Sequence, residues 1–467
     1  MMAKYKFQPT DIKELQTSYD LIVVGSGGAG LTSALQAHEL GLNPVILEKM
    51  PAIGGNTTRA SSGMNASETS VQLDHRIVDS MQDFYDDTFK GGGKKNNPEL
   101  LKYFTTHSAL AIDWLKEHKI ILDDLTITGG MGVMRTHRPS SMAPIGGFLV
   151  TELLKQIEKN NIPLFNDVHV NKLLKSDDQI AGVEVDIDAK TVNISAPAVI
   201  LATGGFGANP ELLTKYRPDL KGYKTTNQPG ATGDGITLAA DVGAKLVDMD
   251  QVQVHPTVQQ DTDHPYLIGE AVRGEGAILV NKAGKRFVNE LDTRKNVTAA
   301  IDDLNEHGAY LIFDQGIRDR VKAIEFYDHI GLVSTGETLE KLAAEIKLHP
   351  KALEKTVSDW NSAIETGDKE FKRTTGMDRG ITTGPFFSIH IAPAVHYTMG
   401  GVSIDDKTEV LDEKGHAIKG LFAAGEIAGG LHGNNRIGGN SIAETVIFGR
   451  QAGQQSFKYV QQGRVSK

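Results

Sequence analysis

The apolar positions first gather into a short unbroken run, Leu21–Val24, closed by the glycine turn GSGGAG at 25–30. A brief continuous apolar run bounded by turn residues marks a strand buried on both faces. Leu31, Ala34, Leu35 and Leu40 then recur at helical spacing, and Val45–Leu47 forms a second apolar run ending at Glu48. Strand, turn, helix and strand predict a βαβ unit. The stretch 70–122 reads mostly as helices, broken by the GGGKKNN loop at 91–97, and 148–160 reads as a helix. From about 163 to 201 the pattern shortens into alternating, strand-rich segments that close with AVILATGG (198–205).

After 250 the pattern changes. Segments 274–290 and 308–314 read as strands, and 318–330, 338–347 and 350–365 as helices rich in Lys and Glu. This predicts an α+β insertion over 251–392, with 1–250 and 393–467 forming one nucleotide-binding domain. From 396 the chain returns to glycine-rich loops, a strand-like GLFAAGE (420–426) and a last helix from about 441 to 460.

Composition narrows the function classes. The 467 residues are 39 % hydrophobic and 23 % charged, as in ordinary globular chains. The 50 glycines fall in clusters without a period, which points to loops wrapped around ligands. Net charge is −10 without a long basic run, which argues against nucleic acid as a partner. The first sixteen residues, MMAKYKFQPTDIKELQ, have no apolar core and do not read as a secretory signal. No stretch reaches the ~20 apolar residues of a membrane span, so the expected location is the cytoplasm. Cysteine is absent, which removes disulfides, cysteine-bound iron–sulfur clusters and C-x-x-C-H haem attachment. No metal ligand set is assigned. Redox chemistry would rest on an organic cofactor, with electrons from a separate donor.

Gly25-x-Gly27-x-x-Gly30 follows the first strand, and Glu48 ends the next, 18 residues past Gly30. Such glycines let the backbone turn tightly beside a pyrophosphate, which meets the amides and positive dipole end of the helix. The acid accepts hydrogen bonds from a ribose diol. A glycine-rich turn without ligand is the bland alternative, and the motif alone does not separate FAD from NAD.

Three further patches do: GGNTTRASSGMNA (54–66), ATGG (202–205) and AAGEIAGGLHGNNRIGGNSI (423–442). Together with the first motif they resemble the flavoprotein subunits of the fumarate reductase and succinate dehydrogenase family, and within it the soluble FAD-dependent fumarate reductases. The resemblance runs from about 20 to 455. It implies an α/β fold, a Rossmann-like FAD-binding domain with an inserted α+β capping domain that closes over substrate. Hinges are expected near 250–257 and 390–396. It assigns the cofactor to Gly25, Gly27, Gly28, Ala29, Gly30, Glu48, Lys49, Val168, Ala202, Thr203, Gly204 and Asp234. Gly54, Gly55, Asn56 and Thr57 would contact the pyrophosphate or flavin side, with Ser62 and Gly63 beyond them. Glu426 would bind the second ribose, the segment Asn440–Ile442, with Ser441 and Ile442, would lie at the flavin ring, and Arg436 and Gly439 would also bind the cofactor. Where covalent members carry the histidine of H-T-x-x-A, this chain has Asn56, so the FAD is expected to be non-covalent.

At the chemical end the resemblance brings QVHPT, EAVRGEG, NELDTR, AVHYTMGG and NNRIGG together on the substrate. His255, His396 and Arg436 would grip carboxylates, for which the planar guanidinium fork is suited. Arg294 would protonate the substrate, refilled through Glu270 and Arg273, while flavin N5 delivers hydride. Free arginine titrates at roughly 12.5–13.8, so it can act only if the proton leaves as carbanion charge builds and is replaced at once. On a helix surface the Glu270–Arg273 pair alone would be worth only ~0.2–0.5 kcal/mol. Gly269 stands where the family commonly has a Thr whose hydroxyl helps bind a substrate carboxylate, and Met64 matches a position near flavin and substrate. RTHRP (135–139) reads as a structural or interdomain contact.

The favoured expectation is reduction of fumarate to succinate. The alternatives are reduction of another unsaturated carboxylate such as urocanate or acrylate, the succinate-oxidising direction, and a flavin-binding partner subunit without its own turnover. The electron donor stays open among reduced flavin, an NADH-linked system and a partner protein.

Overall fold

The computed structural model describes residues 5–187, 190–262 and 264–465. The chain forms two compact units. One comprises the chain through Lys221, Asn227–Val252 and Tyr397 onward; the other comprises Gly222–Thr226 and Gln253–His396. Gly222–Thr226 carries no local mark of its allegiance. It joins the second unit through long-range pairing, with the Thr226 N–H donating to the Val395 carbonyl at 2.9 Å.

The first unit is built on a nine-stranded sheet. Its order is Leu164–Phe165, Pro44–Leu47, Leu21–Val24, Val199–Leu201, Ala417–Ala423, Gln179–Ile187 and His169–Ser176. Glu409–Leu411 adds to Ala417–Ala423, and Lys190–Ser195 to Gln179–Ile187. The pairs from Leu164–Phe165 through Ala417–Ala423 are all parallel. Leu21–Val24, Pro44–Leu47 and Val199–Leu201 are buried at every position, which is why they read as unbroken apolar runs. The helix Gly28–Glu39 follows the first strand and buries ten of its residues, Gly28 through Ala37. The last helix, Asn440–Val465, is longer than the expected 441–460.

The second unit has a six-stranded sheet in the order Tyr266–Leu267, Val252–Gln259, Phe386–Thr398, Ala309–Asp314 and Ile278–Val280, with Ser334–Gly336 on Phe386–Thr398. Its own core includes Ile278, Ile312, Phe313, Leu342, Trp360, Phe387 and Ile389. Only Ile278–Val280 of the expected 274–290 strand forms. Asn281 ends it, its side-chain oxygen accepting from the Ala283 and Lys285 amides while Gly284 turns at φ +72°. The expected helix 318–330 is two, Gln315–Arg320 and Ala323–His329. Among the described residues no helix is long and apolar enough to cross a membrane.

Candidate functional site

The glycine turn closes the first strand onto its neighbours. At Gly25 (φ +106°) an added Cβ would lie 2.4 Å from the Ala202 carbonyl oxygen, and at Gly30 it would lie 2.0 Å from the Gly25 oxygen. Side chains there would force the helix Gly28–Glu39 off the sheet. Gly27 differs: its Cβ would meet only Thr57 Oγ1, at 3.7 Å. Gly27 has no side chain to cap the helix; the Gly28 N–H is taken by Thr57 Oγ1, and the amides that follow it are left to an anion.

Glu48 is held by three donors. The Ser26 N–H (3.0 Å) and hydroxyl (2.6 Å) reach one oxygen, and the Met50 N–H (2.8 Å) reaches the other. The Gly28 N–H donates to Thr57 Oγ1 at 2.9 Å, and the Gly54 N–H to Ser26 Oγ at 3.1 Å. Lys49 pairs with Asp234 at 2.6 Å, and the buried Val168 donates its N–H to the Glu48 carbonyl at 2.9 Å. Thr203 Oγ1 is buried without a hydrogen-bond partner among the described residues. The open approach at Gly27, the uncapped helix and the orphaned Thr203 hydroxyl all fit a bound dinucleotide.

Glu426 is buried, and burial pushes its carboxyl up to about 7. The Thr398 N–H (3.0 Å) reaches one oxygen and Asn56 Nδ2 (3.3 Å) the other. Asn56 Nδ2 also donates to Asn227 Oδ1 at 2.5 Å, while its own oxygen accepts from the Gln228 N–H at 2.8 Å. The early and late glycine-rich patches therefore meet in this unit.

A second junction joins Asn65 to Gly438 O and Asn440 Oδ1, both at 2.7 Å, and Gly439 turns there at φ +84°. Arg436 Nη1 donates to Ser441 Oγ at 3.4 Å, and its guanidinium lies 4.5 Å from the Tyr397 ring centroid. The Tyr397 hydroxyl donates to Glu444 at 2.6 Å, and His432 Nε2 lies 3.0 Å from the same oxygen. Met64 is fully buried on a two-residue strand paired with His137, and Ile442 and Ala202 are also buried. Gly63 sits against the same neighbour: its Cβ would fall 2.5 Å from the His137 carbonyl oxygen.

The second unit gathers the residues assigned to proton transfer. Arg294 opens the helix Arg294–Asp302, whose N-terminus is capped by Thr293. Its Nε donates to Glu270 Oε1 at 2.6 Å and its Nη1 to Gln253 at 2.9 Å. Arg273 Nη2 lies 3.9 Å from that same Glu270 oxygen. Arg273 is only 2 % exposed, so a helix-surface ion pair is excluded. Burial lowers its guanidinium to about 10, against the pull of Glu270. His255 and His396 meet edge to face at 5.4 Å between centroids. His255 Nδ1 accepts from the Thr257 N–H at 3.3 Å, and His396 Nδ1 lies 2.8 Å from Thr226 Oγ1.

A model of the FAD binding domain family matches residues 20–442. An NADH:fumarate oxidoreductase of Klebsiella pneumoniae is 48 % identical over 94 % of this chain and 48 % of its own length. A fumarate reductase (cytochrome) of Shewanella frigidimarina is 42 % identical over 94 % of this chain and 77 % of its own. The open conformation of a flavocytochrome c3 fumarate reductase superimposes with a TM-score of 0.83 at 39 % identity, covering 96 % of this chain and 79 % of the other. The chain belongs to the fumarate reductase family of FAD-binding oxidoreductases.

FAD is thus the cofactor of this fold. The chain spans about half the length of the Klebsiella relative and three quarters of the Shewanella one. More distant members include an acrylate and a urocanate reductase, at 32 % and 33 % identity.

Several residues of these clusters escaped the sequence reading: Ser26, Asn65, Asn227, Gln253, Tyr327 and Thr398. Gln253 had a signal. It stands two residues before His255 on one strand, where alternate residues share a face. Tyr327 had none. Its hydroxyl accepts the Gly269 N–H at 3.1 Å across 58 residues of chain. The RTHRP patch is structural: Arg135 is bound at 2.6 Å by both Asp79 and Asp87 within the first unit.

Proposed function

We propose that the chain reduces fumarate to succinate with non-covalently bound FAD. The observation that carries this reading is the sequence Arg294–Glu270–Arg273, in which one carboxylate oxygen stands 2.6 Å from one guanidinium and 3.9 Å from a second, buried one. FAD, when bound, supplies the hydride from flavin N5.

In this reading His255, His396 and Arg436 hold the two carboxylates, and Arg294 gives its proton to the alkene carbon opposite the hydride. Hydride and proton together convert the double bond to the saturated dicarboxylate. Arg294 then recovers its proton from Glu270, which is refilled by Arg273. The lowered pKa of Arg273 supports this order, because a buried cation releases a proton more readily than a solvated one. Asn56, with its amide committed to Glu426, Asn227 and Gln228, supports non-covalent attachment. Fumarate is favoured as substrate by the relatives that bear that name. The electron donor is reduced flavin, an NADH-linked system or a partner protein. A second reading, another unsaturated carboxylate, is favoured by Gly269, which leaves room beside the relay.

Anaerobic reduction of the FAD-loaded protein, followed by mixing with fumarate, tests the reading. Rapid flavin reoxidation by fumarate, slow reoxidation by urocanate and acrylate, and loss of the fumarate response in Arg294→Ala with FAD retained are the expected results. A wild-type protein whose reduced flavin ignores fumarate refutes it.

A further inference from the structure

Gly269 is a glycine that the backbone does not require. It sits at φ −58° and ψ 147°, where any residue is at ease. A Cβ built on it would meet a single atom within 4 Å, the Tyr327 hydroxyl oxygen at 3.6 Å, which is ordinary contact. Neither strain nor crowding explains the missing side chain. Its effect is to leave the space in front of the Tyr327 hydroxyl uncovered.

That hydroxyl is firmly placed. Tyr327 is 5 % exposed and its ring packs against Phe326. Its oxygen accepts the Gly269 N–H at 3.1 Å, and its own proton has no acceptor among the described residues. Burial raises the phenol above its ordinary value, so the group keeps its proton as a donor. A buried donor without an acceptor is costly unless a ligand meets it. The next residue along the chain is Glu270, bound to Arg294.

We propose that Tyr327 is a substrate-binding and specificity-determining residue, whose hydroxyl donates a hydrogen bond to a substrate carboxylate through the gap left at Gly269. The inference rests on the proposed reading of the Glu270–Arg294 site as the place of reduction. It gives this chain a donor fixed in the wall of its second unit where a hydroxyl side chain at 269 would otherwise serve. It also leaves the volume of that side chain free, so an unsaturated acid bearing a small substituent beside its carboxylate is admitted.

The test compares wild type, Tyr327→Phe and Tyr327→Phe/Gly269→Ser as FAD-loaded proteins. Two quantities are read: succinate binding to the oxidised protein from the flavin spectrum, and fumarate-dependent reoxidation of the reduced protein. Tyr327→Phe is expected to weaken succinate binding and raise KM by about ten- to hundredfold, the effect of losing a hydrogen bond to a charged group, with a smaller change in kcat. The added serine is expected to recover most of that loss, because its hydroxyl enters the same space. Unchanged binding in Tyr327→Phe overturns the proposal. So does a loss accompanied by lower FAD content and melting temperature that serine does not recover, since that marks a structural role. Wild-type protein that binds succinate but is not reoxidised by fumarate refutes the fumarate reading alone, and failure to bind any dicarboxylate overturns both.

Discussion

Arg294 is held by groups that suit the proposed role of losing and regaining a proton. Glu270 and Gln253 orient its fork from two sides, so a lysine could not reproduce both contacts. Arg294→Ala is expected to cut the rate of fumarate-driven flavin reoxidation by about 10²–10⁴-fold, the usual worth of a general acid, while FAD content is unchanged. Glu426 makes a second prediction at this scale. Its folded-state carboxyl titrates near 7, above the ordinary carboxylate range. Between the two values the folded apoprotein holds a proton that the unfolded chain has lost. The apoprotein therefore loses stability from this group as pH rises from about 4.5 to about 7. Melting of the apoprotein across this range should show the decline, and Glu426→Gln should flatten it.

At the scale of elements, two features carry the first unit. The helix Gly28–Glu39 comes as close to the glycine turn as backbone permits, with 2.0 Å left for a Cβ at Gly30. Gly30→Ala is expected to cost about 1–3 kcal/mol in denaturant melts, as overpacking does, and to lower FAD affinity in a fluorescence titration. The other feature is Arg135. It and Asp79 are each 1 % exposed, whereas Asp87 is 27 % exposed. Asp79→Ala leaves a buried guanidinium short of a partner and is expected to cost about 3–5 kcal/mol, measured by chemical denaturation. Asp87→Ala is expected to cost clearly less, because water reaches that end of the pair.

At the scale of the molecule, the chain passes between its two units four times, at 221/222, 226/227, 252/253 and 396/397. The residues assigned to FAD from the sequence occupy the first unit, drawn from segments as distant as Gly25 and Ile442. A ligand that ties such segments together stabilises only the folded state. FAD at a hundred times its dissociation constant is expected to add about 2.7 kcal/mol, seen as a melting temperature that climbs with FAD concentration. A melting temperature independent of added FAD would contradict that assignment.

The βαβ start, the α/β class, the family and FAD were legible in the sequence because each rests on local pattern. Leu21–Val24 and Pro44–Leu47 are buried on both faces and so are apolar throughout, and the turn at 25–30 has no room for a side chain at Gly25 or Gly30. Segment ends were less legible. Asn281 ended one expected strand through side-chain hydrogen bonds, and 318–330 split in two. Tertiary structure alone decided the partners of the chemical groups. Asn56 lies 370 residues from Glu426, and Tyr327 lies 58 from Gly269. It also decided that Arg273 is buried rather than part of a surface ion pair, and that Gly222–Thr226 belongs with the second unit. Hydrophobic periodicity records which side of an element faces the core. It holds no information on which distant polar group will stand opposite, because that is settled only when the sheets and helices come together.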